Sequence, residues 1–255
     1  MKHFGFPSIE QFRNAVRTIR DRCEYHGLPL PTITFQGTVK LHGTNAGVVL
    51  DLATNEMWAQ SREQLITPES DNAGFARFVS DNGIAFKTLF KTAQDLSGPG
   101  EHTHLAIFGE WCGKGIMKGV AIAELEKRFV VFGARVITDG ETPTMRWLSG
   151  EQLQQIVASV QNDRIFCIQN FKTWTLDIDF SKPELAQNEL VSITDEVENE
   201  CPVGKAFIAN EVNGCEVSME NGKLISSKYL PSIVETEVKK LLLTFPESTK
   251  LVLSV

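Results

Sequence analysis

Two apolar runs, Leu105-Ala106-Ile107-Phe108 and Phe129-Val130-Val131-Phe132 continuing to Val136, constrain this chain more than any other feature. A strand with one face in water alternates apolar and polar side chains, whereas a run without alternation suits a strand covered on both faces. A sheet with buried central strands is therefore expected. Thr32-Ile33-Thr34-Phe35, Ala46–Leu50 and Glu56–Gln60 read as further strands, with Thr54-Asn55 as the turn between the last two. Pro7-Ser8 followed by Gln11 reads as a capping-box start, and Ile9, Phe12, Val16, Ile19 and Cys23 then share one face of a helix over 9–25. The spacing of Phe75, Phe78, Val79, Phe86, Leu89 and Phe90 predicts helix over 72–93 with an interruption at Gly83. Ser149 opens another helix carrying Leu153, Ile156, Val157 and Val160, and Pro183 opens one carrying Leu185, Leu190 and Ile193. Short strands over 206–209, 216–219 and 224–228 close the sheet, with Asn221-Gly222 as a hairpin turn, and a helix is expected over 232–243. With no repeat and no linker, the simplest account is one α+β domain over residues 1–255, with 1–31 as an N-terminal helical lead.

Composition narrows the function. No apolar run approaches the roughly 20 residues of a membrane span, and Met1-Lys2-His3-Phe4 leads into polar sequence rather than a secretory segment, so no membrane partner and a cytoplasmic address are expected. Cysteines at 23, 112, 167, 201 and 215 form an odd set without C-x-x-C spacing, which argues against disulfides and structural zinc and for reduced thiols. A net charge of −7 provides no global attraction for nucleic acid, so such binding requires a local basic surface.

Chemistry concentrates in Lys40-Leu41-His42-Gly43-Thr44-Asn45. A lysine at a strand end before a glycine turn can aim its amine into a cleft, and to attack it must be neutral, a state favoured by burial or neighbouring cations. A bare K-x-x-G is nearly always a solvent-exposed lysine beside a loop glycine. The fuller Lys-x-His-Gly-Thr-Asn set resembles motif I of ATP-dependent RNA ligases of the RNA ligase 2 type, within the covalent nucleotidyltransferase superfamily. That resemblance implies that Lys40 attacks the α-phosphorus of ATP to form lysyl-AMP, and that His42 and Asn45 position phosphate or the acceptor end.

Later segments follow the order of that family's motifs. Gln60-Ser61-Arg62-Glu63 stands where motif Ia has a strand-end arginine, so the resemblance implies that Arg62 contacts AMP or the RNA end. Phe108-Gly109-Glu110-Trp111-Cys112-Gly113 looks like motif III, whose glutamate binds the ribose, and a carboxylate can accept from both sugar hydroxyls. Phe129-Val130-Val131-Phe132 resembles motif IIIa, whose aromatic ring stacks on adenine, worth about 1–3 kcal/mol for a base on a ring. Phe132 is the choice there, with Phe129 the alternative. Taken as buried-strand residues, both are ordinary core. Gly113–Gly119 reads as a basic, glycine-rich loop without P-loop spacing.

Departures from the family pattern lie near the C-terminal end. Where motif IV has its glutamate, this chain has Asn213, leaving Glu216 or Glu211 to organise magnesium, with Glu216 the better placed. Motif V keeps Lys228 but has Ser226 in place of its first lysine, with Lys223 nearby. The resemblance therefore implies a mixed or antiparallel-sheet, ATP-grasp-like nucleotidyltransferase (ligase adenylation) domain, and the 27 residues that follow Lys228 leave no C-terminal accessory domain to be expected. Its implied cofactors are ATP and magnesium, with manganese as a substitute, and its implied partners are nicked or single-stranded RNA ends and a protein supplying duplex recognition. The function expected is joining of RNA 5′-phosphate and 3′-hydroxyl ends, with Lys40, His42 and Lys228 catalytic. Two alternatives stand beside it: a non-catalytic module binding nucleotide or RNA ends, favoured by Asn213 and Ser226, and an adenylyltransferase with a non-RNA acceptor.

Overall fold

A computed structural model describes residues 1–9, 11–71, 73–117, 121–139, 143–211, 218–220 and 223–225. In chain order its elements are α1 (Phe12–His26), β1 (Thr32–Thr38), β2 (Thr44–Asp51), β3 (Met57–Ser61), β4 (Leu65–Ile66), α2 (Phe75–Asp81), α3 (Gly83–Leu96), β5 (His104–Cys112), β6 (Arg128–Thr138), β7 (Thr144–Trp147), α4 (Gly150–Ala158), β8 (Ile165–Cys167), β9 (Thr173–Asp179), α5 (Pro183–Asn199), α6 (Pro202–Glu211), β10 (Ser218–Glu220) and β11 (Lys223–Ile225). The architecture is mixed α+β with antiparallel sheets. Backbone contacts divide the chain into one unit of residues 1–7, 41–118 and 122–170, and a second of residues 8–40, 119–121 and 171–255.

The first unit is built on a sheet ordered β4-β3-β2-β5-β6-β7, antiparallel throughout, with β8 joining β6 in parallel. Its central strands are covered on both sides, as their apolar runs require. Val48, Leu105, Ile107, Phe129 and Val131 face α2, α3 and α4, whose Phe75, Phe78, Phe86, Phe90 and Ile156 complete one core. Val49, Ala106, Phe108 and Ile137 face the other way, where Phe4 and Phe6 of the N-terminal segment cover them. That segment is extended because Gln60, buried on β3, both accepts from the Phe4 N–H (3.0 Å) and donates to the Phe4 carbonyl (2.7 Å). Trp58 Nε1 donates to the Lys2 carbonyl and Arg135 to the Gly5 carbonyl.

These ties account for a shift in the first helix. Its N-cap is Gln11, without a side-chain cap bond, rather than Ser8, because the chain through Pro7 is held extended across the sheet. Gly27, at φ 63°, ends α1 in the left-handed conformation that glycine adopts without steric cost. The expected interruption at Gly83 separates α2 from α3, and Ser149 forms a full capping box with Gln152.

In the second unit β1 pairs antiparallel with β9, from Thr32 opposite Asp179 to Thr38 opposite Thr173. Phe35, Leu176 and Ile178 pack against Phe12, Val16 and Ile19 of α1 and Ala186 and Leu190 of α5. β9 carries a period-two pattern, Trp174, Leu176 and Ile178 alternating with Thr and Asp and continued by Phe180 just after it, where no strand was expected. The strand expected over 206–209 is instead part of α6. Pro202 sits in its first turn, where the missing N–H costs nothing, and Val203 and Phe207, one turn apart, are both buried. β10 and β11 pair antiparallel as the expected hairpin. Its remaining residues and the expected helix over 232–243 lie outside the described residues.

Burial also sets thiol chemistry. The described cysteines, at 23, 112, 167 and 201, are free. Burial pushes the Cys112 thiol up to about 12, the Glu110 carboxylate adding to the rise and Arg128 opposing it; burial likewise raises Cys167 to about 11. The unfolded chain, with thiols near 9.0, therefore loses these protons first, so the stability these two thiols contribute is full below pH 9 and falls as pH rises from there towards 11–12. The unfolding midpoint is expected to drop over that window and to drop less in Cys112→Ala. An alkaline limb identical in the variant would contradict the assignment.

Candidate functional site

The Lys-x-His-Gly-Thr-Asn segment connects β1 to β2. β1 ends at Thr38, so Lys40 follows the strand by two residues and is exposed, the last residue of the second unit before the first resumes at Leu41. His42 and Gly43 make a half-buried turn leading into β2. Gly43 is required by close approach: an added Cβ would lie 2.5 Å from the Trp111 carbonyl oxygen and 2.8 Å from Cys112 Cβ. Gly43→Ala is expected to cost about 1–3 kcal/mol through overpacking, read as a lower urea midpoint; an unchanged midpoint would contradict this packing.

Glu110 holds the turn from the neighbouring strand. The Gly43 N–H donates to Glu110 Oε1 at 2.8 Å. Since β2 and β5 run antiparallel with Asn45 directly opposite Glu110, the two side chains share one face of the sheet. Glu110 is half-buried, whereas the next residue, Trp111, is buried on the opposite face and anchored by its Nε1 donating to the Ala73 carbonyl. The strand thus presents a carboxylate on one side while an indole in the core fixes its end.

Phe132 belongs to the same face as Glu110. Between Phe108 and Gly109 the β5–β6 register shifts: Phe108 pairs with Gly133 and Gly109 with Val131, leaving Phe132 as the extra residue of a bulge, a feature that re-aims a side chain. Its ring is half-buried and meets Phe6 edge-on at 4.9 Å. Phe129 is fully buried in the opposite core, between Phe75 (4.8 Å) and Phe86 (6.1 Å). Of the two rings considered for base stacking, Phe132 alone retains exposed surface.

Arg62 stands immediately after β3, exposed, 3.7 Å from the Glu63 carboxylate. Asn45 also lines a cleft of about 510 Å³ with Thr44, Ser61, Gln64, Ser70 and Asp71. Sequence reasoning singled out only Asn45 of these, because isolated Thr, Ser and Gln carry no spacing signal. Glu216, Lys228, Asn213 and Ser226 lie outside the described residues, whereas the alternatives Glu211 and Lys223 are the last residue of α6 and the first of β11. Among the described residues no cluster of three or more His, Cys, Asp or Glu could hold a metal, and no helix is long and apolar enough to cross a membrane.

A profile of the RNA ligase family matches residues 33–201. The chain is similar in structure to two mutants of the RNA ligase of Naegleria gruberi, each with AMP and manganese, at 15% identity and TM-scores of 0.44 and 0.43. The alignments cover 69% and 68% of this chain but 44% and 43% of those structures, so the chain spans less than half the length of these relatives. No curated protein matches it.

Proposed function

Since this chain belongs to the RNA ligase family, we propose that it is an ATP-dependent ligase joining RNA 5′-phosphate and 3′-hydroxyl ends through a lysyl-AMP intermediate. The observation that carries this reading is the Lys40–Asn45 segment, whose glycine turn is tied to Glu110, with Asn45 and Glu110 side by side on one sheet face.

In the first step the neutral Lys40 amine attacks the α-phosphorus of ATP; a P–N bond forms, the bond to pyrophosphate breaks, and the amine loses a proton. In the second, an oxygen of the RNA 5′-phosphate attacks the same phosphorus and the P–N bond breaks, returning the amine. In the third, a 3′-hydroxyl attacks the 5′-phosphate, forming the phosphodiester and releasing AMP. Glu110 accepts from the ribose hydroxyls, Phe132 stacks on adenine, and His42, Asn45 and Arg62 orient phosphate or the RNA end. A carboxylate and the substrate phosphates would hold magnesium, with manganese as a substitute, and the metal would supply charge neutralisation at the phosphates. The carboxylate expected for it, Glu216, and the phosphate-neutralising Lys228 lie outside the described residues. A separate protein supplying duplex recognition completes the reading, with the cytoplasm as its site of action.

The second reading, a binding module without catalysis, is favoured by Asn213 and Ser226 at positions where the family has glutamate and lysine. Intact mass separates the two. Protein first stripped of bound AMP with pyrophosphate is expected to gain one AMP on incubation with ATP and magnesium, and to lose it to 5′-phosphorylated RNA. Absence of the adduct overturns ligation and favours the module.

A further inference from the structure

An acidic chain that handles RNA must grip it through a local basic surface, because its overall field repels phosphate. Several described surface cations are already engaged: Lys2 with Asp139, Lys91 with Asp95, Arg164 with Glu126, Lys205 with Glu200, Lys172 with Glu196. α1 differs. It contains four of the chain's ten arginines and no lysine. Arg13, Arg17 and Arg20 are exposed and form no ion pair or hydrogen bond with any described residue. At i, i+4 and i+7 they lie within about 60° of one another around the helix and span about 10 Å of its axis. Asp21 and Glu24, later on the helix, form no ion pair with them.

We propose that the Arg13–Arg17–Arg20 stripe of α1 docks the phosphate backbone of the RNA strand being joined. The proposal rests on the RNA ligase reading and adds to it a surface that holds the substrate's backbone. Guanidinium suits this task because its planar fork meets phosphate oxygens in pairs, which a lysine ammonium does not. A lipid surface is a poor fit, since the apolar side of α1, Phe12, Val16 and Ile19, is committed to the core with Phe35 and Leu176 and leaves nothing to insert among acyl chains. Tyr25, 84% exposed near the end of the same helix, adds a ring on which an unpaired base can stack.

The test compares two triple variants with the parent. Arg13→Glu, Arg17→Glu and Arg20→Glu together take the net charge from −7 to −13, and Arg77→Glu, Lys87→Glu and Lys91→Glu on α2 and α3 change it equally. Binding of a 5′-phosphorylated single-stranded RNA is measured across salt concentrations, with AMP-adduct formation assayed in parallel. The α1 triple is expected to bind at least about tenfold more weakly, with a log–log salt dependence shallower by about 2, as for three lost phosphate contacts on a single strand. Adduct formation with ATP alone stays at the parent rate, and the α2–α3 triple binds nearly as the parent does. Equal weakening in both triples, or none in the α1 triple, overturns the proposal, as does loss of binding to an acidic polypeptide with RNA binding intact. An Arg→Gln triple with a parental unfolding midpoint guards against misfolding and is expected to show the same loss. A parent that forms no adduct defeats the ligase reading instead, which keeps the two failures apart.

Discussion

Lys40→Ala is expected to form no AMP adduct, with ATP-dependent sealing reduced by at least about 10⁴-fold, the scale on which removing a covalent nucleophile acts. Lys40→Arg is expected to fail equally, because a guanidinium stays protonated and has no lone pair to offer. Neither change touches the core, for Lys40 is exposed, and the unfolding midpoint is expected to move by no more than about 0.5 kcal/mol. RNA already carrying AMP on its 5′-phosphate bypasses the lysine, so Lys40→Ala is expected to seal that substrate well above its rate from ATP. Parental adduct formation in Lys40→Ala would move the nucleophile elsewhere. Loss of sealing on both substrates would point to a binding role for this side chain.

Glu110 carries the second large effect. Glu110→Ala removes the acceptor for the Gly43 N–H together with the proposed ribose contacts. With charge-assisted hydrogen bonds each worth about 1.5–3 kcal/mol, adduct formation at low ATP is expected to fall by about 10²-fold or more. Glu110→Gln keeps an oxygen for Gly43 while surrendering the charge, and its expected loss is smaller, near tenfold. The decisive comparison uses 2′,3′-dideoxy-ATP. The parent is expected to discriminate strongly against it, and Glu110→Ala hardly at all, because the penalty for missing hydroxyls exists only while their acceptor is present. Equal discrimination in both proteins would confine Glu110 to holding the turn.

Much of the sheet was legible because period and burial are written locally. The runs at 105–108 and 129–136 suited covered strands, the longer one rich in β-branched and aromatic residues, and they became β5 and β6 at the centre of the first unit. The segment 206–209 misled because four apolar or small residues fit a strand or a helix equally, and only the burial of Val203 with Phe207 decides for the helix. β9 was missed although its alternation is regular, since its partner β1 lies more than 130 residues away and no turn signal joins them. The cleft beside Asn45 was invisible for a related reason: Thr44, Ser61, Gln64 and Asp71 converge only when β2, β3 and the loop before α2 meet.

What the sequence determined by itself was the order of chemical groups: a lysine three residues before a turn glycine, a glutamate at a strand end and an aromatic run further on, together with the family to which that order belongs. What the tertiary structure decided was their pairing. Asn45 faces Glu110 through the register of β2 on β5, the Gly43 amide reaches the same carboxylate, and one bulged residue on β6 puts Phe132 on their face while Phe129 sinks into the opposite core. Spacing along a chain specifies which side a residue takes within its own strand. Register between strands arises from hydrogen bonds and packing among segments far apart in sequence, and no local pattern encodes it.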